Sequence, residues 1–174
     1  MIKPPSKPPF RPDWVPFTQW ALINVTDRFV AITPHSGYRR HLPENEVCVL
    51  YLEPNASETA VGQALVEMLD RSRFIHPDDD RDFYDFERIV SADKRWHENV
   101  MTTYRYKTKR ELYKNMRYCL AECREGWLII TPHKRDKKPE FWWDLPEDKT
   151  VLIPATDDPG IVGAAVKLAL SHCE

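Results

Sequence analysis

The sequence has little glycine, and it lacks the short motifs that mark many nucleotide- and metal-dependent enzymes. Five of its 174 residues are glycine, which leaves little backbone suited to a phosphate-binding loop. The patterns GxxxxGK[ST], GxGxxG, GxSxG and HExxH are all absent from the chain. These absences argue against an enzyme, and the sequence predicts no catalytic residues, no cofactor, no small-molecule ligand and no metal.

Cysteine pairs and long apolar runs are missing as well. The four cysteines include no CxxC pair, which removes the strongest signals for a zinc site or a thioredoxin-like centre. No apolar stretch approaches the roughly 20 residues that span a bilayer, and the first residues lack the apolar segment of a secretory signal. We therefore expect a protein of the reducing cytoplasm, without a membrane partner.

A strong excess of charge of either sign is also lacking. The formal net charge is -2, with 30% charged residues, whereas chains that bind nucleic acid usually carry a basic excess. Apolar residues make up 42% of the sequence, which suits a folded core at this length. We expect a single domain over residues 1–174, in which residues 1–16 form a proline-rich arm.

What the sequence does contain is an internal repeat. Residues 20–35 read WALINVTDRFVAITPH, and residues 118–133 read YCLAECREGWLIITPH. Further along, each copy continues with Leu-Pro-Glu, a β-prone run and a helix-like segment that contains Val-Gly. Matching positions in the gapless alignment include Leu22 and Leu120, Phe29 and Trp127, and His35 and His133. The pattern indicates an ancient duplication.

The repeat predicts an α+β fold made of two degenerate β-β-β-α halves. Each half is a hairpin, a third strand and a helix, and the helices begin at the caps Ser57 and Asp158, with Pro159 in the favoured first position. One antiparallel sheet with the helices packed on one face is the economical arrangement. The boundaries are 17–73 for the first half, 74–117 for a helical insert and 118–174 for the second half.

Two histidines occupy equivalent repeat positions, each directly after Thr-Pro. His35 and His133 can be interpreted as a pair that binds a metal or moves protons. A metal site needs three or four ligands at defined spacing, and none accompanies these two. We interpret them as loop histidines held by the backbone, while a metal-dependent hydrolase that uses them with nearby aspartates is a further alternative.

An acidic run opens the insert. Its aspartates, with Glu87, are interrupted by one base, Arg81, and the alternation and glycine of an EF-hand are missing. Most such runs are solvated helix starts, but carboxylates also suit a decoy offered to the basic active site of a nuclease. The candidate contact residues are Asp78, Asp79, Asp80, Asp82 and Asp85.

Two tryptophans lie in an insertion within the second half. Leu42 follows His35 by seven residues, whereas Leu145 follows His133 by twelve, and the extra length carries Trp142 and Trp143. Tryptophan is enriched at binding hot spots, so both are candidate contacts with a protein partner. They equally suit a role in covering the edge of the core.

The basic counterpart of the acidic run is the segment 105–117, which we predict to be helical from Thr108 onward. It carries six lysines and arginines against Glu111, with tyrosines interleaved. Basic and aromatic side chains together can bind phosphates and stack on bases. An RNA- or nucleic-acid-binding protein that uses this helix is therefore the alternative function, although the near-neutral total charge favours a solvated face.

Several segments of the second half resemble the contact-dependent growth inhibition immunity proteins, the CdiI family. The resemblance rests on YRYKTKRELYKNMRYC, LIITPH, VLIP and the terminal GAAVKLALSHC, within residues 104–173. It implies a cytoplasmic protein that binds and neutralises the C-terminal toxin domain of a large secreted CdiA-type protein. Toxins of such systems are frequently nucleases. Because pairing is specific to each cognate toxin, the resemblance assigns no contact residues.

Overall fold

The computed structural model describes residues 15–44, 48–136 and 141–174. Residues 1–14 of the predicted proline-rich arm lie outside this range. The described residues form eight strands and four α-helices. The strands are β1 (Gln19–Val25), β2 (Val30–Gly37), β3 (His41–Pro43), β4 (Leu50–Leu52), β5 (Arg117–Arg124), β6 (Trp127–Arg135), β7 (Trp142–Asp144) and β8 (Val151–Pro154). The helices are α1 (Glu58–Asp70), α2 (Phe86–Thr103), α3 (Lys109–Tyr113) and α4 (Pro159–His172).

All eight strands join one antiparallel arrangement, which confirms the predicted α+β class. The order is β3-β2-β1-β5-β6-β7, and β4 and β8 pair with the remaining lengths of β2 and β6. Each half has one short strand more than the β-β-β-α pattern predicted, namely β3 and β7. In each half the chain turns back along the end of its long second strand before the β-prone run begins, and three residues are enough to pair there.

The two halves meet about a pseudo-two-fold axis at the centre of the sheet. Leu22 of β1 pairs directly with Leu120 of β5, and these two residues occupy the same position in the repeat. Equivalent residues that face each other in an antiparallel pair place a local two-fold axis between them. The duplication seen in the sequence is therefore also the symmetry of the sheet.

Helices α1 and α4 pack side by side on one face of the sheet, as predicted. Their caps form as expected, since Ser57 accepts the amide of Ala60 and Asp158 accepts two amides of the first turn of α4. Leu65, Met68 and Val166 are fully buried there. Gly62 of α1 and Gly163 of α4 allow the backbones of the two helices to approach each other closely.

The insert covers part of the opposite face. Phe29, which directly precedes β2, and Ala31 of β2 are fully buried beneath Val100 of α2 and Leu112 of α3. Two apolar side chains of α2, Phe86 and Val90, are exposed, and Phe86 is 75% accessible. Both stand on the first turns of α2, beyond the reach of the sheet.

The predicted basic helix is much shorter than the segment 105–117. The α-helical part is α3 alone, Lys109–Tyr113, which Thr108 caps by accepting the amide of Glu111. Arg105 adopts a left-handed backbone conformation with φ 58°, which separates α2 from α3. Arg117 is the first residue of β5, because the end of the segment pairs with β1.

Candidate partner-binding surfaces

The acidic run forms an exposed turn that leads into α2. Asp78, Asp79, Asp80, Asp82 and Asp85 are all exposed. Two of them also stabilise the local backbone. Asp80 Oδ1 accepts the amide of Phe83 at 3.0 Å, and Asp85 Oδ1 accepts the amide of Arg88 at 2.8 Å as the N-cap of α2. The run therefore presents carboxylates on a defined backbone.

The two candidate tryptophans point to opposite sides of β7. Trp142 is half-buried, and its ring stacks on Tyr118 with centroids 5.0 Å apart and an interplanar angle of 21°. Trp143 is 61% exposed. The alternation of side chains along a strand explains the difference. Trp142 takes the core-covering position, and Trp143 is the tryptophan available to a partner.

A cavity of about 300 Å³ lies between the sheet and α2. Its walls include His35, Glu44, Trp96, Tyr118 and Trp142. Among the residues that the structure describes, none of the five candidate aspartates lines it. The structure thus does not bring the acidic run and Trp142 into one pocket.

Glu44 is the best-held carboxylate at this end of the sheet. Arg73 donates to both of its oxygens, from Nε at 2.7 Å and from an η nitrogen at 2.8 Å, and Ser36 Oγ donates at 2.5 Å. Burial alone raises the pKa of Glu44, but these hydrogen bonds and the charge of Arg73 outweigh it and hold the pKa below its ordinary value. Glu44 is a structural anion that ties the end of β2 to the segment after α1.

The two repeat histidines lie on the same sheet face but in different pairs. His35 Nδ1 lies 2.9 Å from His41 Nδ1, and His133 Nε2 lies 2.9 Å from Asp144 Oδ1. Burial lowers the pKa of His35 well below its ordinary value, with His41 adding to the effect, and burial also lowers the pKa of His41 and His133. Burial therefore favours the neutral form of all three rings.

These groups do not assemble a metal centre in the part of the chain that the structure covers. Within residues 15–44, 48–136 and 141–174, no cluster of three or more histidine, cysteine, aspartate or glutamate side chains is placed to hold an ion. The neutral rings of His35 and His41 satisfy each other, one donating and one accepting. This geometry is that of structural histidines.

The basic segment loses much of its resemblance to a nucleic-acid site. Tyr106 and Tyr113 are buried, at 5% and 7% exposure, so their rings cannot stack on bases. Tyr106 packs against Phe29, and its hydroxyl donates to Thr26 at 3.0 Å. The interleaved tyrosines of this segment hold the insert to the sheet.

One surface was missed by reasoning from the sequence. Trp127, Ile129 and Leu152 share the same sheet face as Phe29 and Ala31, but they lie in the second half. Trp127 is 45% and Leu152 55% exposed. The signal for this surface was the alignment of Trp127 with Phe29 in the repeat, together with the position of the insert, which follows the first half of the sequence repeat and not the second.

Comparison with known proteins places the chain. A family profile described as CDI immunity protein, CdiI, matches residues 19–173. The chain is also 31% identical over 169 residues to the immunity protein CdiI-YPIII of Yersinia pseudotuberculosis serotype O:3, an alignment that covers 89% of this chain and 95% of the relative.

The chain belongs to the CdiI family of immunity proteins.

Solved structures share the fold of this CdiI protein over nearly its full length. One belongs to a CdiA-CT/CdiI toxin and immunity complex from Yersinia pseudotuberculosis, with a TM-score of 0.83 and 29% identity, covering 91% of this chain and 98% of that one. Another is a protein of unknown function from Neisseria meningitidis, with a TM-score of 0.83 and 28% identity, covering 91% and 96%. In the described part of this CdiI protein, no helix is long and apolar enough to cross a membrane.

Proposed function

We propose that this protein binds the C-terminal toxin domain of a cognate CdiA-type secreted protein and neutralises it. The observation that carries the proposal is the match over 91% of the chain to the solved toxin and immunity complex. The molecule acts by presenting a preformed surface. Its two halves share one sheet and one helix layer, so the surface is rigid before the partner arrives, and little conformational entropy is lost on binding.

The protein inhibits without breaking or forming covalent bonds. Support comes from the chemistry of its polar groups, which are engaged with one another. His35 pairs with His41, His133 pairs with Asp144, and Glu44 is bound by Arg73 and Ser36. Inhibition is then stoichiometric, and one molecule of this protein occupies one toxin domain.

We further propose that the toxin is a nuclease and that the complex forms in the cytoplasm. A nuclease carries a basic surface for phosphate, which complements the exposed carboxylates Asp78, Asp79, Asp80, Asp82 and Asp85. Cys119 Sγ and Cys173 Sγ lie 3.5 Å apart as free thiols, a state that fits a reducing compartment.

The acidic run and the β7 tryptophans have separate roles in this proposal. Charges at the edge of an interface chiefly accelerate encounter, so the aspartates steer the toxin toward the protein. Trp143 is exposed on the other side of β7 from Trp142, and it adds a contact at the border of the interface. Trp142 supports that contact from beneath by its stacking on Tyr118.

Growth of cells tests the function. The probe is the C-terminal domain encoded by the reading frame immediately upstream of this gene, expressed from an inducible promoter in a host lacking both genes. Co-expression of this protein should restore growth, and the two proteins should co-purify. Arrest of growth despite normal levels of this protein would refute the proposal.

A further inference from the structure

The two halves of the sheet are equivalent, but among the residues that the structure describes, only the first half is covered on both faces. Helices α1 and α4 bury one face of both halves. On the opposite face, the described part of the insert covers only the first half. Resting on the proposed function, the structure assigns the part that no described residue covers, here called the open face and made of Trp127, Ile129 and Leu152, as the main surface that the toxin occupies.

In the first half, the equivalent face of the sheet is buried under apolar side chains. Phe29 and Ala31 are fully buried, and Tyr51, which pairs with Ala31 across β2 and β4, packs with Phe29. The covering side chains are aromatic and aliphatic. Tyr104 lies 4.6 Å from Phe29 between ring centroids, and Val100 of α2 joins the same apolar cluster.

The open face has the same construction without the cover. Trp127 and Ile129 are the repeat partners of Phe29 and Ala31, and Leu152 pairs with Ile129 as Tyr51 pairs with Ala31. Trp127 and Leu152 nevertheless remain about half exposed. These neighbouring side chains expose apolar surface to water. A partner that covered them would gain free energy from the burial of that surface.

The turn beside each face differs in a way that fits an intermolecular partner. In the first half, Arg28 clamps the insert, donating to the carbonyls of Tyr104 at 2.8 Å and Arg105 at 3.0 Å and pairing with Glu111 at 2.7 Å. The repeat places Gly126 where Arg28 stands. Gly126 has φ 83° and open space around its α carbon, so no side chain at this position can hold another element as Arg28 does.

The open face is apolar, and its border carries charges of both signs. Glu122 and Glu125 lie on or beside it, and Arg39 and Arg124 line the same pocket as these two carboxylates. Glu122 accepts the indole N–H of Trp20 at 3.1 Å, which orients it on the strand. The face therefore fits an apolar segment of the toxin that is surrounded by polar or charged residues of either sign.

The experiment measures toxin binding by variants of the open face. Leu152→Asp and Trp127→Ala each alter an exposed side chain, and the matched control is Leu168→Asp, whose leucine is 51% exposed on α4 against 55% for Leu152. The probe is the purified toxin domain encoded directly upstream, immobilised for kinetic measurement. Thermal unfolding of each variant confirms that it is folded.

We expect the two open-face variants to bind at least about tenfold more weakly, mostly through faster dissociation, as for a central hot spot. Leu168→Asp should stay within about twofold of the unaltered protein. Wild-type affinity in both folded open-face variants would overturn the assignment, as would a self-association of the free protein that Leu152→Asp abolishes while toxin affinity is unchanged. Failure of the unaltered protein to bind would instead refute the proposed function.

Discussion

Gly62 of α1 lies directly against the backbone carbonyl of Pro159 in α4. The pseudo-two-fold axis repeats the contact in reverse, since Gly163 of α4 lies against the carbonyl of Glu58 in α1. A Cβ at either glycine would collide with that carbonyl. The two Val-Gly segments that reveal the repeat in the sequence are therefore the crossing point of the helix layer.

Alanine at either crossing glycine should destabilise the fold. Because the obstructing atoms are backbone, α1 and α4 must move apart, and we expect Gly62→Ala or Gly163→Ala to cost about 2 kcal/mol or more of unfolding free energy. The matched control is Gly160→Ala in the first turn of α4, where the added Cβ meets only Asp158 Oδ1, at 3.2 Å. It should change the free energy by less than about 1 kcal/mol in urea denaturation. Equal effects at all three positions would contradict this packing.

The stability of the protein should fall as the pH drops below neutrality. His35, His41 and His133 have folded-state pKa values below the unfolded value of about 6.5. Below that pH, the unfolded chain takes up protons that the folded chain resists, and each such histidine contributes a slope of at most about 1.4 kcal/mol per pH unit. Urea denaturation at pH 7.5, 6.5 and 5.5 measures the effect.

Replacement of the most strongly shifted histidine provides the control for this pH dependence. His35→Gln removes one titrating ring, so its stability should depend less steeply on pH between 7.5 and 5.5. Glu44 and Asp93 have lowered pKa values and lose their contribution only at still lower pH. A wild-type stability that is the same at pH 5.5 as at pH 7.5 would show that these rings are not held neutral.

Reversal of charge in the acidic run should slow toxin association and leave dissociation nearly unchanged. Asp79→Lys with Asp82→Lys spares the capping residues Asp80 and Asp85, and it moves the net charge from -2 to +2. We expect about a tenfold lower association rate at low salt, which shrinks as salt is added. Asp70→Lys with Glu98→Lys carries the same net change on exposed helix positions. If both pairs slow association equally, net charge and not the acidic run steers the toxin.

Substitution of the two adjacent tryptophans of β7 should have different effects, one on the stability of the fold and the other on toxin binding. Trp142→Ala removes a ring that stacks on Tyr118 and lines the cavity under α2, and we expect a loss of about 1–3 kcal/mol in unfolding free energy. Trp143→Ala should stay within about 0.5 kcal/mol of the unaltered protein but weaken toxin binding. A large loss of stability at Trp143 with none at Trp142 would reverse the assignment of the two faces.

The repeat made much of the sheet predictable. Leu22 and Leu120 match in the sequence and pair in the structure, and the caps Ser57 and Asp158 begin their helices as expected. The short strands β3 and β7 were not foreseen, because three residues carry no periodic signal of their own. Their pairing depends on long neighbouring strands that a local pattern does not describe.

The position of the insert could not be derived from local sequence. The hydrophobic pattern of α2 includes Phe86 and Val90, yet both are exposed, since only the later turns of the helix reach the sheet. The contacts that hold the insert join residues far apart in the sequence, and they include the packing of Tyr106 on Phe29 and the hydrogen bonds from Arg28 to the insert. The open face could not be predicted from the sequence for the same reason, because local sequence does not show which half of the sheet the insert covers.

Titration of toxin activity with this protein tests the central claim most directly. If the protein works by covering its partner, activity should fall linearly and reach zero at one molecule of protein per toxin domain, and it should return when the complex is separated under denaturing conditions and the toxin is refolded. Loss of activity at a small fraction of an equivalent, increasing with time and persisting after separation, would mean that the protein modifies the toxin catalytically and would contradict the account.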